Sequence, residues 1–442
     1  MKKIISALLI LCLCFAICAC KGEKTPGGSN NASTPSTSNP SSNDSSSNNP
    51  SSNNPSSNNP STSNPSDSTP TTSQPSDETN KYADKVFASA RKFSKNAVAQ
   101  KRTLDNTVYK LKNNKKLNVL YYGGSVTVGV GSTGGNSWAE LSEEWLKSTY
   151  PDAQITCTNS AIGGTGVYYG NIRAELDAIP YAPDLMFIEF AVNDAYEGFD
   201  YSQSAYYLEM LIKRMNKQFP QTDIIVLLIT DKGKMGKQFE NADAHKAVAN
   251  HYGIPCFDLG ADLAKAVNEG KGTWEDYFTD YSHPTNKGYA VYTNTVIEGL
   301  KKLLAVEGKA LKNHTMPKED YVIGGINMNY KMLTADKVQM SEGWETGKRK
   351  LHSFPMLFRP TKSGAKITIE FEGNSFGLFM NTEKGNTVTA TIDGKDKKIF
   401  VKADEEGANE KLIFDNLAAG KHKIELEYTG TARFYVYAVF IG

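Results

Sequence analysis

The sequence predicts an α/β domain built on a parallel sheet, followed by an all-β domain. Between Leu117 and about Leu304, short strand-like runs alternate with longer helix-like stretches, which is typical of a parallel sheet covered by helices on both faces. From about Pro317 to Gly442 the helical signals end and short alternating runs favour an antiparallel sandwich. The 442 residues exceed what one compact core usually holds, so at least two domains are expected.

The composition narrows the partners that the protein can be expected to have. The net charge is +1 at pH 7, which gives no support to nucleic acid as a partner. The histidines show no spacing typical of metal ligands, and we expect neither a metal nor a cofactor. Only Cys157 and Cys256 lie in the globular part. Two free thiols are the default for this pair, and one disulfide is the alternative if the chain is exported.

The first 20 residues have the form of an export signal. Lys2 and Lys3 precede a largely apolar run that is short for a membrane span. The run ends at Ala19-Cys20 and resembles a bacterial lipobox, with Cys20 as the lipid-modified first residue of the mature protein. Cys18 departs from that motif, which usually has a small non-thiol residue there. We therefore expect a cell-surface lipoprotein anchored to the bacterial membrane, with simple secretion as the alternative.

Residues 21–80 are predicted to be a disordered linker. Ser, Asn, Pro and Thr dominate this stretch, and such a composition cannot bury a core. Its expected role is to hold the folded part away from the membrane. From Asn80 to about Asn106 the chain is polar with few apolar positions, which predicts a lead-in helix that packs on the next domain.

The α/β domain, residues 81–310, is predicted to contain five strands and at least five further helices. The predicted strands are Leu117–Tyr122, Gln154–Thr158, Asp184–Val192, Asp223–Ile229 and Pro255–Leu259. The predicted helices are Ser137–Thr149, Val167–Ile179, Tyr201–Phe219, Asn241–His251 and Asn286–Leu304. Glu140, three residues after Ser137, predicts a capping box at the start of the first of these helices.

Polar side chains follow several of the predicted strands. The first strand ends in Gly123-Gly124, and Ser125 comes directly after it. Because open α/β sheets carry their sites at the carboxyl ends of the strands, Ser125 is a candidate nucleophile. The candidate partners each follow a later strand, and they are Gly164, Asn193, Asp280 and His283. Each has a common structural explanation by itself, but all of them in this order favour one shared site.

These residue types fit nucleophilic catalysis on an ester. A serine hydroxyl attacks poorly until a base takes its proton, and histidine is the side chain suited to that task near neutral pH. Asp280, three residues before His283, is expected to orient the imidazole and stabilise its cation. The backbone N–H groups of Ser125 and Gly164 and the amide of Asn193 are expected to receive the oxyanion.

This constellation resembles the SGNH (GDSL-type) hydrolase family over about Leu111 to Leu304. The resemblance implies a flavodoxin-like fold with a parallel sheet covered by helices. It implies that Ser125 is the nucleophile, that Gly164 and Asn193 are the second and third oxyanion donors, and that Asp280 and His283 are the Asp-His pair. Two positions depart from the family pattern, since Gly124 stands where Asp is usual and Ala191 where Gly is usual.

The Gly-Gly-Ser variant looks like a branch of bacterial carbohydrate esterases similar to acetyl xylan esterases. That likeness implies a serine esterase that removes O-acetyl groups from a polysaccharide, with plant cell-wall xylan or mannan as the expected substrates. One alternative is a lipase or aryl esterase on the same triad. The other is a non-catalytic carbohydrate-binding lipoprotein, against which the intact triad argues.

Three other sequence features are predicted to be structural. Gly129–Gly134 matches a dinucleotide-binding GxGxxG, but it begins past the strand end and is expected to be a loop beside Ser125. Gly373–Gly377 matches the GxSxG nucleophile elbow, but both flanks are strand-like, so a turn is expected. Five aromatic residues lie close to the site motifs, where packing is expected rather than sugar stacking: Trp138, Tyr168, Tyr169, Trp274 and Tyr281.

The C-terminal region, residues 317–442, is predicted to be an all-β jelly-roll or sandwich. The predicted strands are Ile367–Phe371, Ser375–Asn381, Thr387–Ile392, Lys397–Val401, Lys411–Phe414, Lys423–Tyr428 and Phe434–Ile441. Asp393-Gly394 is a hairpin-turn signal. The pattern resembles the jelly-roll modules that accompany carbohydrate esterases, whose role here is either sugar binding or support of the catalytic domain.

Overall fold

The structure of the chain is a computed structural model. It describes residues 91–94, 101–324 and most of 326–442, leaving out 325, 329, 334–337, 341, 348–349, 352–353, 356, 402–407 and 415–416. The predicted signal peptide with Cys20 and the linker at residues 21–80 lie outside the described residues. Within the described part of the chain, no helix combines the length and hydropathy needed to cross a bilayer.

The lead-in segment is extended where the structure describes it. Lys92–Phe93 forms a short strand, β1, that pairs antiparallel with Val322–Ile323. The Phe93 ring stacks on Tyr321 and meets Tyr201 edge-on. The predicted lead-in helix is therefore wrong at residues 91–94, because pairing with a distant strand buries this apolar position without a helix. Residues 101–104 are not helical either, and a helix begins only at Asp105. Residues 80–90 and 95–100 of that prediction lie outside the described residues.

Five parallel strands form the sheet of the first domain, as predicted. They are β2 (Lys116–Gly123), β3 (Gln154–Asn159), β4 (Leu185–Glu189), β5 (Asp223–Leu228) and β6 (Cys256–Asp258). Their spatial order is β3-β2-β4-β5-β6, which is the flavodoxin-like order 2-1-3-4-5 when counted within the domain. Every residue of β4 and β5 is buried, because helices cover both faces of the sheet.

The helices lie on both faces of this sheet. They are α1 (Asp105–Tyr109), α2 (Ser125–Val128), α3 (Trp138–Thr149), α4 (Val167–Asp177), α5 (Ala191–Tyr196), α6 (Tyr201–Gln218), α7 (Glu240–His251), α8 (Leu259–Asn268), α9 (Trp274–Tyr277) and α10 (Asn286–Leu304). Helices α4, α6 and α7 share one apolar core with the sheet, and α1, α3, α8 and α10 share the other. The capping box at Ser137 and Glu140 is present as predicted.

The third strand is shorter than predicted, and some helices were not predicted. The third strand ends at Glu189 and not at Val192, because Ala191–Tyr196 turns into the short helix α5. An unbroken apolar run cannot by itself distinguish the end of a buried strand from the start of a buried helix. Helix α8 was not predicted, although Asp258 caps it by accepting a hydrogen bond from the Ala261 N–H.

The two cysteines of the globular part are free thiols. Cys157 lies in β3 and Cys256 in β6, which are the two edge strands of the sheet. Four strand spacings separate the edges, roughly 19 Å, whereas a disulfide needs Cα atoms within about 7 Å. Burial raises the pKa of both thiols to about 12, so both stay protonated at neutral pH.

The C-terminal region is a sandwich of antiparallel sheets, as predicted. Its short strands are β7 (Val322–Ile323), β8 (Lys331–Met332), β9 (Gln339–Met340), β10 (Trp344–Glu345), β11 (Lys350–Leu351), β12 (Phe354–Pro355) and β13 (Arg359–Pro360). Its long strands are β14 (Ala365–Gly373), β15 (Phe376–Thr382), β16 (Thr387–Ile392), β17 (Asp396–Val401), β18 (Ala408–Phe414), β19 (Gly420–Thr429) and β20 (Phe434–Ile441). The sheets β17-β16-β19-β14-β9 and β18-β15-β20-β8 enclose the core. The predicted turn at Asp393-Gly394 joins β16 to β17 with positive φ at both residues.

One sheet of the sandwich is buried on both faces because it also packs on the α/β domain. All eight residues of β20 are buried, whereas β14, β16 and β19 alternate between buried and more exposed positions. The Phe379 ring of β15 lies 4.6 Å from the Tyr169 ring of α4, measured between centroids. A Cβ atom at Gly377 would overlap the Tyr168 hydroxyl. The second domain is therefore docked on the helix that follows Gly164.

Gly377→Val is expected to destabilise the protein by about 1–3 kcal/mol, because the added side chain must displace Tyr168 at the domain interface. Thermal unfolding of the purified chain measures this as a lower Tm. Thr389→Val, on the partly exposed positions of β16, is the control and should change stability by less than about 0.5 kcal/mol. Wild-type stability of Gly377→Val would contradict the close contact between the domains.

Candidate active site

Ser125 lies at the carboxyl edge of the parallel sheet. Strand β2 ends at Gly123, Gly124 is extended at the N-cap position, and Ser125 is the first residue of the one-turn helix α2. The Gly124 N–H donates to the Glu189 carbonyl of β4, so the turn follows the sheet edge closely. The serine hydroxyl is thereby placed above the carboxyl ends of the two central strands.

Asp280 and His283 reach the serine from the loop between α9 and α10. His283 Nε2 lies 2.8 Å from Ser125 Oγ, and His283 Nδ1 lies 2.8 Å from Asp280 Oδ2. Asp280 Oδ1 accepts hydrogen bonds from the N–H groups of Ser282 and His283, which closes the loop into a tight turn. The three predicted residues therefore form one continuous Ser-His-Asp chain of hydrogen bonds.

The environment of Asp280 favours its charged form. Burial raises the pKa of this carboxyl, but hydrogen bonds from the His283 ring and from the Ser282 and His283 N–H groups outweigh burial and lower the pKa to about 2. Asp280 is therefore ionised at neutral pH. An ionised carboxylate next to the Nδ1 side of the ring stabilises the imidazolium that forms when His283 takes a proton.

The two glycines before Ser125 are required by side chains packed against them. A Cβ atom at Gly123 would overlap the Thr127 hydroxyl, and one at Gly124 would overlap Asn193 Oδ1. Asn193 lies in α5 and not at the end of a strand. The glycine at position 124, where the family usually has Asp, therefore leaves the space that the Asn193 amide occupies.

The other two predicted oxyanion donors, Gly164 and Asn193, lie on segments that contact the turn of Ser125. Gly163 is so close that a Cβ there would lie 3.4 Å from Ser125 Cβ, and Gly164 follows with a φ of 71°, which favours glycine. Within the described residues, no backbone group accepts from the N–H of Ser125 or Gly164. Asn193 is buried beside Gly124 with its side-chain amide facing the same turn.

Two acidic side chains that sequence reasoning missed fix the loop that contains Gly164. Asp194 Oδ1 accepts from the Val167 N–H, and Glu197 Oε1 accepts from the Gly166 N–H, so both hold the start of α4. Asp194 Oδ2 also pairs with His245 Nε2 at 2.9 Å, and both side chains are fully buried. The only sequence signal was that Asp194 follows Asn193 directly.

A second group that sequence reasoning missed supports the loop of His283. The Tyr196 hydroxyl donates to Asp231 and lies 3.1 Å from the Ser282 hydroxyl. The Lys232 N–H donates to the Tyr281 carbonyl at 2.9 Å. Because Tyr196 belongs to α5, one helix contacts both the loop of His283 and the turn of Ser125.

The features expected to be structural are so in the described residues. Gly129–Gly134 is a loop after α2, and Gly131 is so close to Pro284 and His283 that a Cβ would overlap the Pro284 carbonyl. Gly373–Gly377 includes the turn between β14 and β15. Among the five aromatic residues, Trp138, Tyr168 and Tyr169 are buried, while Trp274 and Tyr281 are half-buried.

Family models match both domains of the chain. Residues 121–291 match the model described as GDSL-like Lipase/Acylhydrolase family. Residues 355–437 match the model described as Carbohydrate esterase 2 N-terminal. These matches confirm the predicted resemblance of the α/β domain and the association of the sandwich with carbohydrate esterases. No curated protein matches the chain.

Solved structures resemble the chain over both domains. A two-domain esterase active on acetylated mannans aligns with a TM-score of 0.65 and 20% identity, and covers 78% of this chain and 97% of its own. A second structure is of a two-domain esterase active on acetylated mannans, co-crystallised with mannopentaose. It aligns with a TM-score of 0.66 and 22% identity, and the alignment covers 78% of this chain and 96% of that chain. At this level of identity the likeness establishes the two-domain fold.

Gly124→Ala is expected to lower kcat by about 10²–10³, because its Cβ displaces the Asn193 amide from the predicted oxyanion site. Turnover of 4-nitrophenyl acetate measures the loss. Asn193→Ala should lose a similar factor, and the double variant should lose little more, since both changes remove the same donor. Losses that multiply in the double variant would contradict this coupling.

Proposed function

The chain is an SGNH-type serine esterase with a GDSL-like acylhydrolase domain, and from this premise we propose that it removes O-acetyl groups from a polysaccharide. The observation that carries the proposal is the hydrogen-bonded chain from Ser125 through His283 to Asp280, with 2.8 Å at each link. This chain lies at the carboxyl edge of the sheet, where open α/β folds bind their ligands.

The proposed reaction has two halves. Ser125 Oγ attacks the acetyl carbonyl while His283 Nε2 takes the hydroxyl proton, and the imidazolium is stabilised by Asp280. His283 then gives that proton to the departing sugar oxygen, which leaves an acetyl-serine. Water attacks the acetyl-serine with His283 as base, and acetate leaves as Ser125 regains its proton.

The oxyanion of each tetrahedral intermediate is proposed to lie among three donors. These are the N–H groups of Ser125 and Gly164 and the side-chain amide of Asn193, and the proposal is supported by the contact of Gly163 with Ser125 and of Gly124 with Asn193. Donors that are already fixed before the reaction stabilise the developing charge without a cost of reorganisation. Asp194 and Glu197 provide that fixation by holding the start of α4.

The substrate is proposed to be an acetylated plant cell-wall polysaccharide, with mannan favoured over xylan. The choice is supported by the likeness over both domains to an esterase active on acetylated mannans. It is also supported by the carbohydrate esterase description of the model that matches the sandwich. A lipase or aryl esterase would use the same three residues, so only substrate measurements separate these possibilities.

The proposed location is the cell surface. Support comes from the sequence alone: a charged start, a short apolar run that ends at Cys20, and a polar linker at residues 21–80. A lipid on Cys20 would anchor the enzyme to the bacterial membrane. The linker would let the folded domains reach an insoluble glycan.

The Ser125→Ala variant is expected to release acetate at least about 10³-fold more slowly than wild type from acetylated mannan and acetylated xylan, because it lacks the nucleophile. Acetate release measures this, with 4-nitrophenyl acetate as a generic ester. Ser148→Ala, a surface serine of α3, is the matched control and should retain wild-type rates.

Other outcomes of these measurements would contradict the nucleophile assignment or favour another function. Equal rates for wild type and Ser125→Ala would overturn the assignment of the nucleophile. Turnover of 4-nitrophenyl acetate without release from either glycan would favour the lipase or aryl esterase. Glycan binding with no turnover on any ester would favour a carbohydrate-binding lipoprotein.

Cys20→Ala is expected to move the protein from the membrane fraction to the soluble fraction of the expressing bacterium, because the thiol that carries the lipid is absent. Immunoblots of the two fractions measure this. A chain without residues 25–77 should stay with the membrane and keep its turnover on small esters. Persistent membrane association of Cys20→Ala would contradict the lipid anchor.

A further inference from the structure

Glu189 is a buried carboxyl group beneath the turn of Ser125 that the proposed reaction does not use. It is the last residue of β4 and is 1% exposed. Its Oε2 accepts a hydrogen bond from the Thr127 hydroxyl at 2.8 Å. Its Oε1 is buried without a hydrogen-bond partner in the described part of the chain.

Glu189 holds the turn of Ser125 through both its backbone and its side chain. Its carbonyl accepts from the Gly124 N–H at 3.2 Å, one residue before the serine. Its carboxyl binds Thr127, two residues after the serine. Gly123 fits between the two, since a Cβ there would overlap the Thr127 hydroxyl and approach the Glu189 carbonyl. The Glu189 side chain is therefore linked to the turn of Ser125 through Thr127.

The groups that face Glu189 offer no positive charge. The groups near Glu189 are Asp194 of α5, Tyr289 and Tyr292 of α10, and the Thr127 hydroxyl of α2. Arg173 packs on Tyr122 and donates to the Gly123 carbonyl. Tyr122 and Ile188 share the core on one face of the sheet, and alternation along β4 places the Glu189 side chain on the other face, with Phe187. No ion pair joins Glu189 to a Lys or Arg within the residues described.

An ionised Glu189 would thus be a buried charge without a cation and with one oxygen unsatisfied, which is costly in a protein interior. Burial raises the pKa of Glu189 to about 8, although the hydrogen bond from the Thr127 hydroxyl opposes this, and the neighbouring Asp194 raises it further. The carboxyl is therefore mostly neutral below about pH 8.

We propose that Glu189 is a positioning residue that holds the nucleophile turn only in its protonated form, so that its ionisation lowers turnover at alkaline pH. The proposal rests on the esterase function proposed above. Two effects act in the same direction. The new charge must attract water or a donor, which moves Thr127, and it also opposes the oxyanion that forms above the same turn.

The test is the pH dependence of kcat for Glu189→Gln and wild type between pH 6 and 10, measured by acetate release with spontaneous hydrolysis subtracted. Glutamine keeps an acceptor for Thr127 and cannot ionise. Wild type should lose at least about tenfold in kcat between pH 7 and 10, since the neutral fraction falls tenfold for each pH unit above the pKa. Glu189→Gln should stay within about threefold of its own value at pH 7 throughout.

A matched variant distinguishes positioning from a general effect of removing a buried carboxyl. Glu209→Gln changes a second buried carboxyl, which accepts from the N–H groups of Tyr321 and Val322 far from Ser125 along the chain. It should keep the alkaline decline of wild type. Thr127→Val removes only the hydrogen bond to Glu189, and should lower kcat at pH 7.

Stability supplies a second readout. The folded-state pKa of Glu189 is raised, so its contribution to stability is greatest below about pH 4.5 and is lost as pH rises toward about 8. The Tm of Glu189→Gln minus the Tm of wild type should therefore be larger at pH 9 than at pH 5. A merely structural role would shift this Tm difference without removing the alkaline decline in kcat.

Two results would overturn the proposal. One is an alkaline decline in Glu189→Gln at the same pH as in wild type, and the other is a wild-type kcat that stays constant to pH 10. Absence of any turnover that depends on Ser125, at every pH, would instead overturn the proposed function, so the two failures are distinguishable.

Discussion

The steric constraint at the end of β2 determines the arrangement of the whole site. The backbone between Tyr122 and Ser125 leaves no room for a side chain at either glycine, because Thr127 covers one and Asn193 covers the other. Backbone and side chains from β2, β4 and α5 therefore pack as one unit beneath the serine. The departure from the usual Asp at position 124 follows from the same packing, since an Asp side chain would occupy the place of the Asn193 amide.

The sandwich domain contacts this unit through α4. Gly164 lies three residues before α4, and Tyr168 is the second residue of that helix, so the contact of Tyr168 with Gly377 is four residues along the chain from Gly164. On its other side the helix start is held by Asp194 and Glu197. The second domain thus packs on the helix that follows Gly164. Its other sheet, with alternating exposed positions, faces solvent.

The sequence predicted the elements that repeat along the chain and the site residues that follow a strand. It did not predict features that depend on contacts between residues far apart in the sequence. Alternating apolar runs predicted all five parallel strands, and the order of Ser125, Asp280 and His283 predicted which side chains meet. The third strand was predicted to be too long because its apolar run continues into α5. Glu189 and Asp231 were missed because their partners, Thr127 and Tyr196, are 62 and 35 residues away, and a lone acidic residue carries no signal of such a contact.

The docking of the two domains buries an apolar face of the sandwich against the α/β domain. The matched model for the sandwich is described as N-terminal, yet here the sandwich follows the acylhydrolase domain. The interface needs only an apolar face on each side, and β20 provides one because its eight residues are buried on both faces of the sheet. The connection must still be held in place, and Glu209 does so by accepting the N–H groups of Tyr321 and Val322 just before the sandwich begins. A domain joined from the other end would need a different tether but could present the same face.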